Sequence, residues 1–243
     1  MLGAGVDSAV KVEGWFARTE NGSWIRYRKN SDKATTENMK DVKQISAGGH
    51  HACAVMGNGT VRCWGANFGG AVGVPEETDT TEPVEVPGVA DVLEVEAGFY
   101  HTCALKRDGT VTCWGKRRAT GGSDERPYVI PGLKGVVQLA AGSDFTCAVV
   151  SDRTVRCWGL DSWGRLGDGS PPSRDRNLPS PVLSLQDVVQ ITAGAQHACA
   201  LLESGAVMCW GTNFDGELGC LPSVDADCPE FSPIPKLVSN LSK

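Results

Sequence analysis

One sentence is written four times along these 243 residues: HACAVMGNGTVRCWGAN (51–67), HTCALKRDGTVTCWGKR (101–117), FTCAVVSDRTVRCWGLD (145–161) and HACALLESGAVMCWGTN (197–213). Each copy holds two cysteines ten positions apart, and the first cysteines are separated by 50, 44 and 52 residues. A period in this range belongs to a solenoid, a propeller or another stacked array, because one unit cannot bury its apolar faces alone. The copies extend outward. Upstream come DVKQISAGG, DVLEVEAGF, GVVQLAAGS and DVVQITAGA; downstream come WGANFGGAVG, WGLDSWGRLGDG and WGTNFDGELG, then a Pro-led apolar run at 83–89, 127–133, 181–185 and 233–238.

Each unit reads as four short strands rich in β-branched residues and bounded by Gly, Asn, Asp or Pro. The second and third strands meet at a tight turn such as Gly57-Asn58-Gly59 or Arg107-Asp108-Gly109, a hairpin signal. Centring the turn on Asn58 sets Val55 opposite Val61 and Cys53 opposite Cys63. Facing residues of antiparallel strands lie about 4.5–5.5 Å apart, which suits a disulfide. The ten cysteines fall into Cys53/Cys63, Cys103/Cys113, Cys147/Cys157, Cys199/Cys209 and Cys220/Cys228. Even numbers in regular pairs read as a disulfide framework and an oxidising compartment, whereas the close C-x₂₋₄-C pairs of zinc knuckles are missing.

Both faces of each unit carry small or apolar residues: Cys53 and Val55 on one, Ala54 and Trp64 on the other. Such a sheet needs a similar sheet on each side, which radial repetition supplies. The expected fold is an all-β propeller of four-stranded antiparallel blades in a single repeat domain over 1–243. Its repeats span 41–90, 91–134, 135–186 and 187–243. A degenerate unit occupies 10–40, where FARTENGSWIRYRKN sets Phe16 and Arg26 in place of the cysteines and lacks a Pro-led strand.

The pattern V-x-x-[IVL]-x-A-G-x-x-H-[AT]-C-A-[VL]-…-G-x-V-x-C-W-G-x-N-x-x-G-x-L-G resembles the regulator of chromosome condensation repeat. Its cysteine-paired form resembles predicted secreted bacterial members of that family. The resemblance implies a propeller, usually of seven blades. Five units here leave three outcomes: a closed five-bladed ring, part of a larger ring, or an open arc that self-associates or is completed by another chain. It also implies a platform for protein partners, the family's roles running from nucleotide exchange on a small nuclear GTPase and chromatin docking to light sensing and β-lactamase inhibition.

Net charge is −6, a poor match to nucleic acid or anionic membrane. No apolar stretch is long enough to span a bilayer, and MLGAGVDSAVKVEG lacks the basic start and apolar core of a signal peptide. The cysteine pairs nonetheless place the chain in an extracellular, periplasmic or cell-surface setting. No catalytic, metal or cofactor constellation is read. His51, His101 and His197 share one repeat position, taken by Phe145 in the remaining copy, and repetition puts them in different blades, so their expected role is structural. Trp64, Trp114, Trp158 and Trp210 are expected to be blade core rather than a light-sensing cluster. Asn21, Asn58 and Asn240 stand in glycosylation patterns, and the turns account for the first two without a glycan. Asp225 and Asp227 sit between Cys220 and Cys228, where a disulfide-closed loop is favoured over a calcium loop.

Non-repeating residues carry the functional expectation. In a four-stranded meander the first and third connections emerge at one end. There stand Phe68, Phe99, Tyr100, Trp163 and Phe214, with Lys116, Arg117 and Arg118. Aromatic and Arg side chains are enriched at interface hot spots, so this end is the expected partner-binding face. The reading is a secreted or surface-exposed, non-enzymatic binding propeller. The alternatives are an intracellular exchange-factor-like regulator of a small GTPase, and a propeller attached to an enzyme whose catalytic domain lies elsewhere.

Overall fold

The computed structural model describes residues 9–13, 16–19, 24–26, 41–75, 79–117, 122–171, 175–223 and 227–238. Strands β1 (Ala9–Glu13), β2 (Phe16–Thr19) and β3 (Trp24–Arg26) form a three-stranded antiparallel sheet. Phe16 pairs with Arg26 there, in the register the cysteines hold in the other units.

Four four-stranded meanders follow. The first blade is β4 (Val42–Ala47), β5 (His51–Met56), β6 (Val61–Gly65) and β7 (Thr80–Glu85). The second is β8 (Val92–Ala97), β9 (His101–Lys106), β10 (Val111–Arg117) and β11 (Gly122–Val129). The third is β12 (Val136–Ala141), β13 (Phe145–Val150), β14 (Val155–Gly159) and β15 (Arg176–Pro181). The fourth is β16 (Val188–Ala193), β17 (His197–Leu202), β18 (Val207–Thr212) and β19 (Phe231–Leu237).

The expected hairpin register is present: Val55 faces Val61 and Cys53 faces Cys63. The hairpin disulfides are Cys53–Cys63, Cys103–Cys113, Cys147–Cys157 and Cys199–Cys209, each with Cα atoms 4.1 Å apart. Cys220–Cys228 is a fifth, with Cα atoms at 5.9 Å. In the third blade Cys147 of β13 faces Cys157 of β14. Cys157 is fully buried in the apolar core between the third and fourth blades, so it is a structural staple and contributes nothing to a surface site. Beyond Cys157 the pairing of β14 with β15 shifts register before Gly159, and the Ser180 hydroxyl donates to the Cys157 carbonyl at 3.2 Å. The turns are built by side chains. The Asn58 Oδ1 accepts the Thr60 N–H and hydroxyl, and Asp108 and Asp152 do the same for Thr110 and Thr154.

The fourth strand corrects the expected boundaries. It begins before the Pro-led runs, so that Pro83 lies inside β7 and Pro181 closes β15. An outer strand pairs on one side only, and a missing N–H is tolerated on the other. The first apolar residue after it in the first three blades, Val86, Ile130 and Val182, leaves the strand and is buried.

Successive blades pack through their first two strands: β8 against β4 and β5, β12 against β8 and β9, β16 against β12 and β13. Three contacts recur at these joints. Each hairpin turn accepts the N–H that opens the next blade, from Val92 to Gly59 at 3.0 Å, Val136 to Gly109 at 3.0 Å and Val188 to Arg153 at 3.1 Å. Two indoles donate backwards, Trp114 to the Ala71 carbonyl and Trp210 to that of Arg165, both at 3.0 Å. The third contact is histidine to threonine. Trp64, Trp114, Trp158 and Trp210 are all buried, as core residues should be. Beyond the fourth blade the same positions are more open: Cys199, Leu201 and Val207 are half-buried, where Cys53, Val55 and Val61 are fully buried.

Candidate partner-binding face

The histidines belong to the joints. Thr102 gives its one hydroxyl proton to the Ala71 carbonyl at 2.9 Å, so the His51 Nε2, 2.7 Å away, must be the donor to Thr102. Burial, together with the charges of His101 and His50, pushes the His51 pKa down to about 3, so the ring is neutral. His101 meets Thr146 at 2.8 Å and burial lowers it to about 4. The third joint sets Phe145 where the histidine would stand and Ala198 where the threonine would be, an apolar pair in place of a polar one. Partners change together because a lone buried polar group is costly.

The loops at the other end of the blades from the hairpin turns interlock from blade to blade. The Gly49 N–H donates to the Gly98 carbonyl at 3.1 Å, Phe99 to Ser143 at 2.8 Å and Ser143 to Ala195 at 3.0 Å. Within the third connections an Asn or Asp at the loop start organises the turn. Asn67 Oδ1 accepts the Val72 N–H at 2.9 Å, Asp161 that of Leu166 at 3.0 Å and Asn213 that of Leu218 at 2.8 Å. The aromatic side chains thus ride on loops tied to their own blade and to the next.

Two ring groups stand on this end among the described residues, where the sequence suggested a single face. In the first, His50 lies edge-on to Phe68 (centroids 5.9 Å) and Phe99 (4.8 Å), and Phe99 lies edge-on to Tyr100 at 4.6 Å. Lys116 sets its Nζ 5.5 Å from the Tyr100 centroid. Gly49 makes room for this group, since a Cβ there would come within 2.5 Å of the Phe99 ring. In the second, Trp163 packs on Phe214 (5.4 Å) and Phe231 (5.6 Å). The third blade's first loop, next in blade order after the first group, carries the polar residues Ser143 and Asp144, and within the third and fourth blades the Arg165 guanidinium reaches the Gln196 side chain at 3.4 Å. The apolar surface is divided by blade, because the non-repeating residues of the third blade's first loop are polar.

Phe68, Trp163 and Phe214 are exposed by 56%, 41% and 50%, large areas for aromatic side chains on a folded surface. Trp163 also has a left-handed backbone, φ 64, which a bulky residue rarely adopts. Arg117 ends β10, and Arg118 lies outside the described residues, as do Asn21, Asp225 and Asn240. His50 and Phe231 join the groups without having been singled out by sequence. His50 could have been found, because it holds the loop position of Tyr100. Phe231 opens a fourth strand whose start the Pro-led run misplaced.

The family model described as the regulator of chromosome condensation (RCC1) repeat matches residues 42–70, 92–116, 136–165 and 188–217, and a second model of that description matches 154–201. Among solved structures, human WBSCR16 aligns with a TM-score of 0.74 at 22% identity, over 94% of this chain and 63% of that one. Prp20p from Saccharomyces cerevisiae, studied with its binding properties to Gsp1p and histones, aligns at 0.76 and 19%, over 93% and 61%. Yeast RCC1 (Prp20) bound to Kap60 gives 0.75 and 18%, over 93% and 59%. At these identities the likeness is one of fold. The chain spans about three fifths of the length of these structures. No curated protein matches it by sequence.

Proposed function

The chain belongs to the regulator of chromosome condensation (RCC1) repeat family, and from that premise we propose that it is a non-enzymatic, protein-binding propeller, secreted or surface-exposed, that presents its aromatic end to a protein partner. One observation carries the reading: Trp163 is exposed while its backbone is held in a conformation that favours glycine. Such strain costs of order 1–3 kcal/mol and persists where the surroundings over-determine it, commonly at ligand-contacting sites. The exposed part of the indole gives folding little in return. It gives a partner a rigid, amphipathic anchor of the kind that dominates interface energetics.

Five disulfides support an oxidising compartment. The half-buried apolar positions of the fourth blade make self-association a second outcome to monitor in any binding experiment. The experiment captures partners from the native source on the intact chain and on a Phe99→Ala, Tyr100→Ala, Trp163→Ala variant, then measures the affinity of each identified partner for both. A loss of at least about tenfold is expected, the effect of one modest hot spot. Unchanged affinity sinks the proposal.

The exchange-factor reading rests on the fold shared with Prp20p. Stimulated nucleotide release from a small GTPase, by chain in which all ten cysteines are reduced in the source cell, would replace the secreted reading with that one.

A further inference from the structure

One position repeats in every blade, the third residue of the first strand, Gln44, Glu94, Gln138 and Gln190, and the first three of these stand at the joints between blades. Gln44 grips the next blade with both ends of its amide. Its Oε1 accepts the Val95 N–H at 2.8 Å and its Nε2 donates to the Val95 carbonyl at 3.1 Å. Gln138 grips Ile191 in the same way, at 2.9 and 3.1 Å. Glu94 faces Leu139, the same position of the third blade. Its Oε2 accepts the Leu139 N–H at 3.2 Å, but a carboxylate has no proton to offer the carbonyl. The middle joint alone of these three closes fully on protonation.

We propose that Glu94 is a proton-operated clamp: as the carboxylic acid it holds both the N–H and the carbonyl of Leu139, and as the carboxylate it holds the N–H alone. Its surroundings favour the acid. Burial pushes its pKa up to about 7, against the opposing pull of the Leu139 N–H. The strand it faces, β12, has no titratable side chain. On β9, Leu105 stands opposite Glu94, His101 is engaged by Thr146, and Lys106 pairs with Val92 at the strand end. Glu96 on its own strand turns its carboxylate towards Gln44 and Ser46 of the first blade. That blade's remaining titratable groups on β4 and β5 are Lys43 and His51, the latter bound to Thr102.

The clamp spans the joint that separates the two aromatic groups, so mild acidification locks them into one rigid surface and alkaline conditions loosen them. This consequence rests on the partner-binding reading, whereas the titration of Glu94 does not, and the experiment addresses the titration. Melting curves of the full chain and of Glu94→Gln are recorded from about pH 5 to 8.5. A folded-state pKa raised above the unfolded one contributes stability that is lost as pH rises through the folded value. The difference between the two melting temperatures should therefore widen by roughly 5–10 °C in favour of Glu94→Gln across this range. Gln138→Glu should install a second dependence of the same sign. The Glu94 side-chain carboxyl carbon, followed by NMR in the unaltered chain, should titrate near pH 7. Parallel melting curves, or titration at the pH of an ordinary glutamate, would overturn the proposal.

Discussion

Trp163 and Gly69 occupy the same position in their repeats and the same left-handed backbone region, at φ 64 and 63. Sister loops thus share one path, and a tryptophan has been set where a glycine follows it without strain. Trp163→Gly and Trp163→Ala both remove the indole and its contacts with Phe214 and Phe231, but only glycine relieves the backbone. We expect Trp163→Gly to be more stable than Trp163→Ala by about 1 kcal/mol in chemical denaturation. Equal stabilities would show that the loop bears no strain.

The His51 and His101 joints are expected to fail in acid. Their folded-state pKa values, about 3 and 4, lie below that of an unfolded histidine, about 6.5. The unfolded chain then binds more protons, and stability present above about pH 6.5 is lost as pH falls towards 4. The third joint suggests the cure. His101→Phe alone strands the Thr146 hydroxyl at a cost of about 1–3 kcal/mol. The double change His101→Phe, Thr146→Ala copies the Phe145–Ala198 joint and should recover most of that, with a shallower acid limb in a pH-dependent melt. A double variant no better than the single one would separate the two residues energetically.

Asp161 stands where Asn67 and Asn213 stand in their loops. Both asparagines donate from Nδ2 to backbone carbonyls, of Val74 and Pro229, whereas the Asp161 Oδ2 is buried without a partner among the described residues. Burial raises its pKa to about 6. The folded chain holds that proton too strongly, so stability falls as pH rises from the ordinary aspartate value through 6. Asp161→Asn should stabilise the protein at neutral pH by about 1–3 kcal/mol and leave it little changed at pH 4. A neutral or destabilising effect at pH 7 would count against the loop alignment.

Reduction should proceed in a set order. Cys53, Cys103, Cys147 and Cys157 are fully buried, whereas Cys199 is half-buried and Cys220 borders an exposed loop. Timed reduction read by peptide mapping should release Cys199–Cys209 and Cys220–Cys228 before the other three. Removing one hairpin disulfide by paired alanine substitution, Cys147–Cys157 for instance, should cost about 2–3 kcal/mol. Simultaneous release of all five would indicate global unfolding rather than local access.

Residue order alone settles what is local and what repeats. A hairpin with cysteines ten apart has one register that joins them, so the Cys53–Cys63 staple, the Asn58 turn and the buried faces of each meander were legible in the order of residues. The partner of a blade residue was not. His51 meets Thr102 across 51 positions and Gln44 meets Val95 across the same span, and sequence spacing says nothing of how one sheet is rotated onto the next. Glu94 therefore reads as one more polar residue until Leu139 is placed against it. The division of the aromatic end into two groups has the same origin, since each group is assembled across a joint, His50 of the first blade on Phe99 of the second and Trp163 of the third on Phe214 and Phe231 of the fourth. Nor does a tryptophan code for a left-handed backbone; only the loop closing around Asp161 imposes that φ. Patterns within a strand pair are written in the chain, while contacts between sheets arise from packing, and it is packing that places the rings, the histidines and the clamp.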